Sequence, residues 1–147
     1  MKRQVQLPRP VGDLNKGRVL SLKKIVYEIG SKDKYFFFIS VDFEAKIIRG
    51  GAYDNLSGQG QLDSEQEAIV HEQISKMLLI NFINPLKPGL DGFWHNVTFY
   101  SYDEDPLRSS VWGSYITRDH QNLWKILLEV ATESINNPNL IYALQKY

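Results

Sequence analysis

Between Tyr35 and Ile47 every odd-numbered residue is apolar (Tyr35, Phe37, Ile39, Val41, Phe43, Ala45, Ile47), while Ser40, Asp42, Glu44 and Lys46 stand between them. Side chains of a strand alternate between its two faces, so this register predicts one strand with one buried face. No Gly, Pro or Asn interrupts the run to offer a tight turn. At about 3.3 Å per residue such a strand would extend on the order of 40 Å, well beyond the usual five or six residues, and would have to bend. The expectation is the anchor of a sheet-based domain. It names no chemistry.

The flanking segments extend the pattern. Arg18 to Ile29 reads as a preceding strand whose apolar phase moves from Leu20 and Leu22 to Ile25, Tyr27 and Ile29. A bulge near Lys23-Lys24 reconciles the two halves. Gly30-Ser31-Lys32-Asp33 reads as the hairpin connection into the long strand. Residues 50–60 hold four glycines and few apolar side chains, which predicts a flexible loop. A helix is expected from Asp63 or Ser64, where Ser64 and Glu67 have the spacing of a capping box. Val70, Ile74, Met77 and Leu78 form its apolar stripe, and Asn84-Pro85 is its expected stop. Pro88, Gly89 and Gly92 keep the next stretch irregular.

Phe93 to Tyr102 predicts another strand, with Phe93, Val97 and Phe99 on one face and Trp94, Thr98, Tyr100 and Tyr102 on the other. A short strand is expected at Val111–Ile116. Thr117 or Asp119 can cap a second helix whose broad apolar face comprises Leu123, Trp124, Leu127, Leu128, Ala131 and Ile135. Pro138 opens a short terminal helix carrying Leu140, Ile141 and Leu144. Together these predict an α+β domain: a mainly antiparallel sheet of about four to five strands, two main helices packed on it and a short C-terminal helix. The 147 residues suit a single domain. Residues 1–16, with Pro8, Pro10 and Gly12, read as an extended N-terminal arm.

Composition narrows the chemistry. The chain has no cysteine, so disulfides, thiolate metal sites and cysteine nucleophiles are excluded within it. Met1 to Pro8 has a positive tip with no apolar stretch behind it, and no window is apolar enough to span a membrane. The reading is a cytoplasmic protein without a signal peptide. Net charge is zero, yet residues 1–34 carry nine Lys or Arg against three acids while residues 35–147 carry eight against fourteen. The basic segment could attract nucleic acid, but the acidic remainder opposes a polyanion and makes that partner a poor expectation.

Motifs for catalysis are absent. Gly58-Gln59-Gly60 precedes a helix that opens with three acids, the wrong charge for a phosphate cradle. His71, His95 and His120 lack metal-ligand spacing, and neither a metal nor another cofactor is expected. The pairs Asp42/Glu44 and Asp103/Asp105 could hold magnesium in principle but read as solvated acids. His95, on the aromatic strand, could work as an acid or base.

What remains is a set of large rings beside acids: Trp94, Tyr100, Tyr102, Trp112 and Tyr115 with Asp103, Glu104 and Asp105. Either the second helix covers these rings as core, or they form a partner surface. Aromatic anchors with an acidic rim suit recognition of a basic protein. The leading expectation is a non-enzymatic, protein-binding inhibitor resembling in type a bacterial immunity or antitoxin protein, one that occludes a basic, nuclease-type toxin. The alternatives are a small nucleotide- or RNA-directed enzyme using His95 or His120, and a self-associating structural protein or homo-oligomer.

Overall fold

The computed structural model describes residues 22–31, 35–53, 55–82, 92–102 and 105–146. The expected arm 1–16, strand residues 18–21, Lys32-Asp33, the helix stop at Asn84-Pro85, Pro88, Gly89 and the acids Asp103 and Glu104 lie outside the described residues.

Six strands, β1 (Leu22–Gly30), β2 (Tyr35–Asp42), β3 (Ile47–Ala52), β4 (Leu56–Gln61), β5 (Trp94–Ser101) and β6 (Leu107–Trp112), form one sheet in the order β4-β3-β2-β1-β5-β6. Every neighbouring pair is antiparallel. Helices α1 (Ser64–Ser75), α2 (Arg118–Ser134) and α3 (Pro138–Gln145) complete an α+β fold.

The sheet exceeds the expected strand count because the run 35–47 is not one strand. It turns at residues 43–46, where the Asp42 carboxylate accepts the backbone N–H of Glu44 at 3.0 Å and of Ala45 at 2.9 Å. Lys46 takes the left-handed conformation, φ 58°. An aspartate that bonds the backbone ahead of it does the work of a turn glycine. After the turn the phase flips: Ile48 and Ala52 face the core, whereas Ile47 does not. The bulge near Lys23-Lys24 is present, as a register shift between Leu22 and Lys24 against β5.

The glycine-rich stretch 50–60 is likewise strand rather than loop. Ile48, Gly50 and Ala52 pair with Gly60, Gly58 and Leu56. Gly50, Gly58 and Gly60 let the helix layer approach. A Cβ on Gly60 would sit 2.0 Å from the Ser134 carbonyl oxygen.

The α1 cap is Asp63, one residue before the expected Ser64: its carboxylate accepts Gln66 N–H at 2.8 Å, and the Gln66 side-chain oxygen accepts Asp63 N–H at 3.0 Å. Glu67 instead pairs with Lys46. The helix ends at Ser75, well short of Asn84, and a 3-10 turn follows at Leu79–Phe82. Asp119 holds that connection by accepting Leu78 N–H at 2.9 Å and the Asn81 amide at 2.8 Å. Leu78, expected in the apolar stripe, is exposed, whereas Val70, Ile74 and Met77 are buried.

Helix α2 follows its sequence closely. Thr117 caps it, and Leu123, Trp124, Leu127, Ala131 and Ile135 are buried in one cluster with Ile25, Tyr27, Ile39, Ile48, Val97 and Phe99 of the sheet. The strand expected at Val111–Ile116 is displaced: β6 ends at Trp112, and Gly113–Tyr115 form a 3-10 turn.

Candidate functional site

Alternation along the strands gives the sheet two unlike faces. Ile25, Tyr27, Ile29, Ile39, Ile48, His95, Val97 and Val111 point one way and are buried. Helices α2 and α3 cover this side: Tyr27 meets Trp124 edge to face at 5.1 Å, and Gly50 and Gly58 lie against Leu144, Leu140 and Ile135. The opposite face carries Lys24, Val26, Glu28, Phe38, Arg49, Trp94, Asn96, Thr98, Tyr100, Arg108, Ser110 and Trp112. Among the described residues no helix lies on it.

The rings singled out in the sequence are therefore not covered by α2. Trp94 and Trp112 are opposed across β5 and β6 and touch edge to face, centroids 5.2 Å apart, both half-buried. Gly92, with φ 119°, fits beside the Trp112 ring. Tyr100 stands on the same face opposite Lys24, but six residues along β5 from Trp94, about 20 Å away at the usual strand rise. Tyr102 is exposed just beyond β5, with the Lys23 ammonium 5.9 Å from its ring centroid. Asp105 is exposed before β6 at that same end. Tyr115 is exposed in the 3-10 turn beyond the Trp112 end. The described part of the predicted set is thus a stripe with a tryptophan pair at one end and Tyr100, Tyr102 and Asp105 at the other.

Between them lies a residue the sequence reading passed over. Glu28, half-buried in the middle of the open face, is directly opposite Phe38 on β2 and Asn96 on β5. The Phe38 ring lies across Gly51, where a Cβ would come within 2.2 Å of it. Burial raises the Glu28 carboxyl above its ordinary value of 4.5, and its charge in turn raises the Tyr35 phenol. No basic side chain pairs with Glu28 among the described residues. Its even position in β1, out of phase with Ile25, Tyr27 and Ile29, was the available signal.

The histidines belong to the covered side. His95 accepts or donates a 2.7 Å hydrogen bond at Nδ1 with the Tyr27 hydroxyl, and His120 completes the α2 capping box, its Nδ1 accepting Thr117 N–H at 3.1 Å. Burial pushes both imidazoles down to about 4, and His95 adds to the effect on His120. The fold thus brings these two near enough for their charges to interact, and both are buried. His71 stacks on Phe43 at 4.2 Å. Asp42 holds its turn, and Glu44 pairs with Lys23 at 3.5 Å. Among the described residues no three His, Asp or Glu side chains converge as metal ligands, and no helix is long and apolar enough to cross a membrane.

Compared with protein-family models, curated proteins and solved structures, the chain matches none of them.

Proposed function

We propose that this chain is a protein-binding inhibitor of the immunity or antitoxin kind, a single cytoplasmic domain that neutralises a basic bacterial toxin, nuclease-type in particular, by covering its active site. One observation carries the reading: a half-buried carboxylate, Glu28, has no cation beside it among the described residues and stands among aromatic and amide side chains on the sheet face that the described helices leave open. Such a group is a receptor for a lysine or arginine of the partner, because a charge-assisted hydrogen bond made away from water is stronger than one on a wet rim. Trp94, Tyr100 and Trp112 supply large, stiff anchors on either side of it. Asp103, Glu104 and Asp105, consecutive acids in the sequence, steer the basic partner and stand in for substrate phosphates in its cleft.

The test is affinity purification from the native host at low and moderate salt, with the wild type and Glu28→Gln beside it. The expected result is one stoichiometric basic protein whose own activity the wild type suppresses, with retention reduced by salt and by Glu28→Gln. An equal yield of that partner with both baits would remove Glu28 and the open face from the interface. Recovery of no partner, together with a turnover lost in His95→Ala, would favour the enzyme alternative.

A further inference from the structure

The two edges of the sheet are unlike. On β4, Leu62 N–H bonds to Lys46 C=O, so by alternation the backbone groups of Ser57, Gln59 and Gln61 point outward. There the Asn137 side chain donates to Ser57 C=O at 3.0 Å and blunts the edge. On β6, Gly113 N–H bonds to Phe93 C=O at 2.8 Å, which fixes Val111, Ser109 and Leu107 as the residues bonded to β5. The N–H and C=O of Arg108 and Ser110 therefore point away from the sheet, and among the described residues nothing takes them up.

We propose that β6 pairs with β6 of a second copy of this chain, antiparallel about a two-fold axis at Ser110, giving a dimer with a continuous twelve-stranded sheet. This rests on the register and not on the inhibitor reading. With Ser110 opposite its own copy, the outward-facing groups of both strands meet as hydrogen-bonded pairs, Ser110 with Ser110 and Arg108 with Trp112. Opposed residues share a face, so each Arg108 guanidinium comes to lie over the Trp112 indole of the other copy. Arg108 is exposed, and among the described residues the contact costs it no ion pair. Shifting the register by two residues puts Arg108 against Ser110 or Ser114, and shifting it by four puts Arg108 against Arg108; each loses this match. The strand Leu107–Trp112 is thus complementary to itself in one alignment. The dimer would join the two open faces edge to edge, with Arg108 of one copy completing the tryptophan pair of the other.

The absence of cysteine allows a direct test. A hydrogen-bonded antiparallel pair brings Cα atoms to about 5.5 Å, within disulfide reach. Single-cysteine Ser110→Cys is expected to oxidise to a covalent dimer at micromolar concentration, whereas Ser57→Cys on the blunted edge stays monomeric. Sedimentation of the wild type should show a dimer. Ser110→Pro removes only an N–H directed away from β5, and Arg108→Glu removes the cation; each should weaken dimerisation about tenfold or more with the circular dichroism unchanged. A wild type that sediments as a monomer at about 100 µM, or Ser110→Cys and Ser57→Cys that oxidise alike, would overturn the proposal. If Ser110→Pro fails to fold, the cysteine pair and Arg108→Glu still decide it.

Discussion

Gly60 shows how one missing Cβ sets the spacing between the layers. Its Cα faces the Ser134 carbonyl so closely that alanine would place a Cβ 2.0 Å from a backbone oxygen, and backbone, unlike a side-chain tip, has no rotamer to move into. Gly60→Ala should therefore cost at least about 2 kcal/mol in urea denaturation. Gly50→Ala, whose Cβ meets side-chain methyls of Leu144, Ile135 and Leu140 at 3.3, 3.5 and 3.6 Å rather than backbone, should cost clearly less. Equal midpoints for the two variants would show that the end of α2 is not pinned at Gly60. At the same scale, His95 and His120 make stability depend on pH. Each is held at about 4 in the folded protein against an ordinary 6.5, so the unfolded chain takes up protons first as pH falls. Stability is complete above pH 6.5 and is lost as pH drops toward 4, on the order of 3 kcal/mol for either histidine. Urea midpoints taken from pH 7.5 to 4.5 should fall steeply. His120→Gln keeps a capping-box side chain that does not titrate, and should flatten the fall; an unchanged slope would remove His120 from the account.

At the scale of elements, Gln66 ties the start of α1 to the end of α2. Its amide donates to Glu133 at 3.1 Å and to Ser134 at 2.8 Å while its oxygen closes the α1 cap. Gln66→Ala should cost about 1–3 kcal/mol and raise amide exchange through the first turns of α1 more than in α3; uniform exchange would show that α1 is held by packing alone. The elements also divide by how far sequence reveals them. Helices α2 and α3 were legible because Thr117, Pro138 and the Leu123–Ile135 stripe are local signals. The β2–β3 turn was hidden because Phe43 and Ala45 continue the alternation by coincidence. Phe43 is buried against His71, whereas Ala45 is an exposed turn residue, and the turn is made by an Asp42 side chain rather than by glycine. Strands β3 and β4 were hidden because glycine reads as loop, when here the missing side chains of Gly50, Gly58 and Gly60 make room for Ile135, Leu140 or the end of α2, and that of Gly51 for the Phe38 ring.

At the scale of the molecule, the aromatic stripe was visible in the sequence, but its side of the sheet was not, since facing depends on strand pairing across 68 residues between Glu28 and Asn96. The same pairing places Glu28 among Phe38 and Asn96, neighbours that no local pattern could supply. In the proposed inhibitor this open face, and not the helix layer, meets the partner. Hydroxyl-radical footprinting of the free protein and of its complex tests it most directly, because the two sides carry distinct rings. Trp94, Tyr100 and Trp112 mark the open face, and Tyr142 on α3, 64% exposed, marks the helix side. Protection of the first three with Tyr142 oxidised as before is the predicted result. Protection of Tyr142 while Trp94 and Trp112 stay reactive would place the partner on the helices and contradict the account.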